Sequence, residues 1–259
     1  MRIIVFNASP KAEQSATHFM AEPLLEGAAG AGAEVENVFL SKKNIRHCIG
    51  CFDCWFKTPG ACCIKDDMGE LLSKFSSADI AVFASPLYVD NVSGLMKTFI
   101  DRLIPLVDCH FSKDESGECR HGARIAKYPR IAVMSNAGFP EIAHFQVLSH
   151  YFKRMARNMH SEVVAEIYRG AGPLLTSGLP IAKPFVSAYR RLLVQAGAEL
   201  AESAQISPKT QRKLDRPLVP DILYIKGVNH HFDAELSKIK LPDIAAPEPQ
   251  VFMEKASGP

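Results

Sequence analysis

No stretch of the sequence approaches the roughly 18 consecutive apolar residues that a membrane-spanning helix needs. The apolar run Ile3 to Phe6 begins too near Met1 to leave room for the basic leader of a signal peptide. Long runs of one charge sign are also missing. Thirty basic and 28 acidic side chains give a formal charge of +2, which argues against broad electrostatic capture of nucleic acid. Neither the Walker A pattern nor the triple-glycine dinucleotide fingerprint occurs, so the first loop is not expected to hold a bound dinucleotide. No internal repeat is found. What remains is a chain of 259 residues, 47% apolar and 22% charged, a composition that excludes disorder as the main state. The default expectation is a cytoplasmic protein with no membrane and no nucleic-acid partner, working on small molecules or with other proteins.

Hydrophobic patterning gives an alternation of strands and helices. Short apolar strands are expected at Arg2–Asn7, Glu34–Leu40, Ile80–Ala84, Ile131–Ser135 and Glu162–Tyr168. Helical spacing is expected over about 15–31, 66–75 (with Asp66 or Asp67 as N-cap), 92–104, 141–159 and 185–204. Strands separated by helices imply βαβ units, hence a three-layer α/β fold with a five-stranded parallel sheet and ligands beyond the carboxyl ends of the strands. Asp108–Lys127 is polar and turn-rich and lies outside this alternation. The expected organisation is a domain at 1–206 that includes a cysteine-rich loop at 48–63, followed by a C-terminal extension at 207–259 that packs on the domain or on a neighbouring subunit. Its proline-rich tail, 242–259, reads as an extended arm.

Two loops carry chemistry on their own residues. After the first strand comes Asn7-Ala8-Ser9-Pro10-Lys11-Ala12-Glu13-Gln14-Ser15-Ala16-Thr17, running straight into a helix. Helix N-terminal amides, the helix dipole and the hydroxyls of Ser9, Ser15 and Thr17 suit a phosphate dianion, although a plain turn capped by Ser15 accounts for the same residues. After the third strand, Leu87 and Tyr88 offer an apolar wall with a polar tip, and Asn91, Ser93 and Gly94 allow close backbone approach to a planar heterocycle; a half-buried core tyrosine is the simpler alternative.

Four landmarks in order give these loops a context: Ser9-Pro10-Lys11 with Ser15-Ala16-Thr17; the cysteine run Cys48 to Cys62 followed by Asp66-Asp67-Met68; Ser85-Pro86-Leu87-Tyr88 with Ser93-Gly94, Lys97, Asp101 and Arg102; and Asn136-Ala137-Gly138-Phe139-Pro140-Glu141. With them the chain resembles the flavodoxin-like NAD(P)H-dependent FMN reductase family, in particular its iron-sulfur flavoprotein branch, over residues 1–170 and more thinly to Asn229. The resemblance implies that Ser9, Lys11, Ser15, Ala16 and Thr17 bind the FMN phosphate. It implies further that Pro86, Leu87 and Tyr88 line the flavin ring, and that Asn136, Ala137, Gly138 and Phe139 close the other side. Lys11 stands where the family usually has Arg, and Ala16 where it often has Asn. A point charge replaces a bidentate fork and one side-chain amide is lost, so weaker FMN retention is expected.

Seven cysteines are present, five of them between 48 and 63. Clustered thiols in a chain without a secretory signal point to metal or redox chemistry. Cys48, Cys51 and Cys54 sit at two-residue intervals, close enough for one loop to ligate three corners of a cubane, with Cys62 as the fourth ligand and Cys63 as an adjacent substitute; this spacing is compatible with the compact motif of the iron-sulfur flavoproteins and a 4Fe-4S cluster. Gly50 and Gly60 permit the positive φ values such wrapping requires. A cluster-free structural loop, a zinc site and a Cys51–Cys54 dithiol stay open beside it. Cys109, His110, Cys119 and His121 are poorly spaced for zinc. His144, His150 and His160 read as solvated or core-edge residues, and His230 and His231 receive no catalytic role.

The resulting expectation is an FMN-dependent oxidoreductase passing electrons from NAD(P)H, as co-substrate, through FMN to a quinone or other small-molecule acceptor. No side chain need act as a catalytic nucleophile or base. The alternative is an iron-sulfur flavoprotein that carries electrons between protein partners. The family's habit and the apolar residues on more than one face of 92–104 suggest a homodimer or homotetramer.

Overall fold

The computed structural model describes residues 1–239; the expected arm at 242–259 lies outside them. The chain divides into two compact units, residues 1–221 and the segment from 222 onward. In the first, chain order is β1 (Arg2–Asn7), α1 (Ala16–Gly30), β2 (Glu34–Phe39), α2 (Asp53–Phe56), α3 (Met68–Ser77), β3 (Ile80–Pro86), α4 (Gly94–Asp101), β4 (Val107–Lys113), β5 (Cys119–Ala123), β6 (Arg130–Asn136), α5 (Gln146–Asn158), β7 (Val163–Arg169), α6 (Lys183–Ser203) and α7 (Pro208–Leu214). Helix α8 (Asp221–Leu236) starts at the last residue of the first unit and makes up most of the described part of the second. No helix among the described residues is long and apolar enough to cross a membrane.

The five expected strands are present and form one parallel sheet in the order β2-β1-β3-β6-β7. Strand order therefore reverses between β1 and β3, the point at which doubly wound sheets open a crevice at their carboxyl ends. Strand β3 is buried along its whole length, because helices cover both faces. Alternation along β1 sends Ile4 and Phe6 to one face and Ile3 and Val5 to the other. The first face is aromatic: Phe6 stacks on Phe99 at 4.7 Å, and Phe83 meets Phe152 at 5.3 Å. The second is aliphatic and small, built from Val82, Leu24, Leu193, Ala196 and Leu200.

One sequence reading is corrected and a second is refined. Asp108–Lys127 contains an antiparallel hairpin, β4 with β5. Its turn is closed by Asp114, whose carboxylate accepts from the Ser116 amide and hydroxyl, and Gly117 follows at φ +79°. The N-cap expectation at Asp66 or Asp67 holds in position but not in bonding. Asp67 holds the cap position without a capping side-chain bond, and its carboxylate accepts instead from the Asn44 amide.

Small residues set how closely α1 and α6 approach. A Cβ on Gly27 would lie 1.8 Å from the Val194 carbonyl oxygen, and one on Gly197 would lie 1.8 Å from that of Leu24. Both obstacles are backbone and cannot rotate away. Gly197→Ala should therefore destabilise the protein by about 1–3 kcal/mol through overpacking, more than the roughly 1 kcal/mol of helix propensity that alanine brings. Urea unfolding followed by circular dichroism would measure it; a variant as stable as the parent contradicts the close-contact account.

Candidate functional site

The loop after β1 descends from a buried strand onto the start of α1. Asn7 turns its carboxamide oxygen to the Ser9 amide at 3.0 Å, holding the bend, while its Nδ2 is buried without a partner. Ser15 is the N-cap: its hydroxyl accepts from the His18 amide at 3.0 Å and donates to the Ala12 carbonyl at 2.6 Å. The first amides of a helix have no intrahelical acceptor, and Ser15 serves only one, so those of Ala16 and Thr17 stay available to an anion. Ser9, Ser15 and Thr17 are buried in this loop. Lys11 is exposed at its rim and makes no ion pair among the described residues. Turn formation thus leaves other polar atoms of the same segment open.

The loops after β3 and β6 are tied to it. Thr17 accepts from the Asn136 side-chain amide at 2.8 Å, which leaves its own hydroxyl hydrogen free to point elsewhere. Leu87 donates its amide to the Asn136 carbonyl at 2.8 Å, and Ser93 donates its hydroxyl to the Ala8 carbonyl at 2.9 Å. Pro86, Asn136 and Ala137 are buried, Leu87 is half-buried, and Tyr88, Gly138 and Phe139 are exposed along the lip. Tyr88 and Asn91 pair across a tight turn whose central residues, Val89 and Asp90, have φ of +50° and +54°. That geometry is unusual for a β-branched residue and carries strain. Phe139 stacks at 4.8 Å on His144, which is half-buried, in keeping with a core-edge residue. Buried and unpartnered, Asn7 Nδ2 and Ser135 Oγ at the ends of β1 and β6 fit an edge made to meet a polar ligand.

The cysteine loop is closed at its base by a second set of bonds. Asn44 and Asp67 exchange hydrogen bonds of 2.8 and 3.1 Å, and Asp66 accepts the Arg46 amide at 2.9 Å. Asp66 also pairs with Arg102 through two contacts, 2.8 and 3.0 Å, with both side chains out of solvent. Burial alone would raise the Asp66 pKa; the Arg102 fork and the Arg46 and Met68 amides reverse this and hold it below the ordinary carboxylate value.

Within the loop, Gly50 and Gly60 have φ of +65° and +86°, as their expected role requires, and Phe52 joins them at +56°. Cys48, Cys51, Cys54 and Cys62 line one pocket with Ile64, Ile104 and Arg102. Burial and then the neighbouring Cys62 push the Cys54 thiol up. Cys63 lies 3.6 Å from Cys51, sulfur to sulfur. Trp55 anchors the loop by donating to the Val107 carbonyl at 2.9 Å and packing on His121 at 4.9 Å, which makes the β4–β5 hairpin its buttress. The Cys109, His110, Cys119, His121 quartet does not converge: Cys119 sits opposite Lys113, and His121 is turned onto Trp55.

Comparison with known proteins accords with this geometry. Residues 1–153 match the model of the NADPH-dependent FMN reductase family. An iron-sulfur flavoprotein of Archaeoglobus fulgidus is 39% identical over 105 residues, 40% of this chain and 46% of that protein. One from Methanocaldococcus jannaschii is 38% identical over 106 residues, 41% of this chain and 53% of that protein. The matched segments thus span about half the length of these relatives. Among solved structures, an FMN-dependent NADH-azoreductase from Bacillus anthracis shares the fold at TM-score 0.56 and 17% identity, covering 78% of this chain and 99% of the other. An NAD(P)H:quinone oxidoreductase from Methanothermobacter marburgensis does so at TM-score 0.57 and 16% identity, covering 77% and 96%. With the family model spanning more than half of its length, the chain belongs to the NADPH-dependent FMN reductase family.

Proposed function

We propose that this chain binds FMN at the carboxyl ends of β1, β3 and β6 and passes electrons from NAD(P)H to a quinone or another small acceptor in a cytoplasmic setting. The observation that carries this reading is the direct hydrogen bonding of the three loops, Thr17 to Asn136, Leu87 to Asn136 and Ser93 to Ala8, around open helix amides. Bound FMN supplies hydride acceptance and onward electron delivery. The protein's part is to hold and shield. Ser9, Lys11, Ser15, Ala16 and Thr17 bind the phosphate; Pro86, Leu87 and Tyr88 flank the ring on one side and Asn136, Ala137, Gly138 and Phe139 on the other. No nucleophile or general base is required. Steady-state NAD(P)H oxidation with a soluble quinone tests the reading, and absence of turnover by FMN-loaded protein would reject it.

Replacing Ser9 and Thr17 together by Ala removes two hydroxyls facing a charged phosphate, each worth about 1.5–3 kcal/mol. FMN affinity should fall at least about a hundredfold, each decade being about 1.4 kcal/mol; unchanged affinity by fluorescence titration would exclude this phosphate site.

A second reading, an iron-sulfur flavoprotein that relays electrons to a protein partner, draws on four thiols lining a single pocket. Cys48, Cys51, Cys54 and Cys62 would hold a 4Fe-4S cluster, which supplies one-electron steps. The site also contains a buried, unpartnered donor, Arg102 Nε, that suits sulfur acceptors. Cys51→Ser exchanges a soft ligand for a poor one and should abolish iron and acid-labile sulfide while FMN stays near stoichiometric. Metal analysis of anaerobically prepared protein decides it, and iron-free wild-type protein would eliminate the cluster.

Exposed Tyr88, Val89, Phe139, Ile142 and Val147 gather after β3 and β6, beside the proposed flavin edge. Such apolar exposure favours at least a homodimer with this edge near the boundary. Light scattering of the FMN-loaded protein should give a dimeric or tetrameric mass; a monomer would overturn the assembly.

A further inference from the structure

The wall of the cysteine pocket contains a cation. Arg102 follows the last residue of α4, is 1% exposed, and lines the pocket together with Cys62 and the other three thiols. Its Nη1 donates to the Arg46 carbonyl at 2.7 Å and to Asp66 at 2.8 Å, and its Nη2 donates to the second Asp66 oxygen at 3.0 Å. Nε is buried with no acceptor. Asp66 cannot readily supply one, because its two oxygens already receive the Arg46 and Met68 amides as well as the fork. An unpaired buried guanidinium N–H is costly enough to call for an explanation. The side-chain acceptors lining the pocket are the sulfur atoms of Cys48, Cys51, Cys54 and Cys62. Cys62 and the guanidinium line the same pocket.

We propose that Arg102 is a positioning and tuning residue for a sulfur-ligated iron centre in this loop, donating from Nε to the sulfur at Cys62 while Asp66 holds its charge in place. The inference rests on the iron-sulfur reading above. Potentials of such centres are set by net charge and by hydrogen bonds to the sulfurs. A fixed cation favours the reduced, more negative form and raises the potential, and the Asp66 carboxylate moderates that effect. The pair therefore has two separable roles. It ties the base of the loop, and it presents a partly compensated positive charge to the thiolates.

Removal of either partner breaks the same tie but changes the charge at the pocket in opposite directions. In anaerobic, full-length protein, potentiometric titration monitored by electron paramagnetic resonance should give a lower cluster potential for Arg102→Gln and a higher one for Asp66→Asn. Arg102→Lys, which keeps the charge but lacks Nε, should fall between wild type and Arg102→Gln. Extracted FMN per chain checks folding in each variant. Should Arg102→Gln fail to fold, a rise in Asp66→Asn with a fall in Arg102→Lys sustains the proposal. Unchanged potentials, or shifts of the same sign in Arg102→Gln and Asp66→Asn, overturn it, since a loosened loop alone predicts no opposition. Loss of iron from both Arg102 variants with FMN retained also overturns it, reducing Arg102 to a tie. Wild-type protein without iron or sulfide rejects the iron-sulfur reading itself, a result visible before any variant is made.

Discussion

The three central strands of the sheet, β1, β3 and β6, are apolar on both faces along most of their length and leave polar chemistry nowhere to go except the strand ends. In β3 every residue from Ile80 to Pro86 is buried, and β6 is buried from Ile131 through Asn136. Their backbone groups are satisfied by neighbouring strands, and their faces by two hydrophobic clusters. Polar residues then appear at the carboxyl termini: Asn7 on β1, Ser85 on β3, Ser135 and Asn136 on β6, Arg169 on β7. The order reverses between β1 and β3, the point at which doubly wound sheets open a crevice at their carboxyl ends. The same constraint that makes the core stable therefore selects where a ligand can be met.

The edge is organised by side chains that join one loop to the next. Asn136 illustrates this: its amide reaches Thr17 and its carbonyl receives Leu87, so one residue fixes the distance between the first, third and fourth loops. Such preorganisation matters for a phosphate site, since donors already in place need no ordering when the ligand arrives. The cysteine loop depends on a different kind of bond. A buried ion pair contributes little net stability compared with apolar packing, but loss of one partner leaves a buried charge and costs about 3–5 kcal/mol. Asp66 with Arg102 is such a pair, and its value lies in the geometry it imposes on the loop's two ends.

Much of the fold was legible because continuous apolar runs such as Ile80 to Ala84 admit few structures once they alternate with helices. The loop residues from Ser9 to Thr17 were legible as a group for the same reason, lying between a strand and a helix whose ends the pattern located. The β4–β5 hairpin was not. Most of its side chains are exposed, so no inside-outside alternation marks it, and its turn is held by Asp114, Ser116 and Arg157 through contacts that spacing does not reveal. The role of Arg102 was hidden differently. A basic residue ending an apolar helix reads as a favourable partner of the helix dipole. Its actual partner is 36 residues earlier, just after the sequence that contains the clustered thiols. The approach of Cys63 to Cys51 was likewise invisible, since adjacency to Cys62 suggested only a substitute.

Helix α4 connects the two regions. Ser93, its N-cap, accepts from the Met96 amide and donates to the Ala8 carbonyl in the loop after β1. Arg102, directly after its last residue, holds Asp66 and the Arg46 carbonyl at the base of the cysteine loop. Nine residues separate these anchors, which at 1.5 Å per residue is about 13 Å along the helix axis. Met96 and Phe99 between them are buried against the aromatic face of the sheet, so the helix cannot slide without disturbing the Phe6–Phe99 stack. Displacement of either loop is thus resisted by the core, and the spacing between the two loops is a property of a packed helix instead of a flexible connection. That rigidity holds the loop after β1 and the base of the cysteine loop at a fixed separation, while each keeps its own hydrogen bonds and its own local charge.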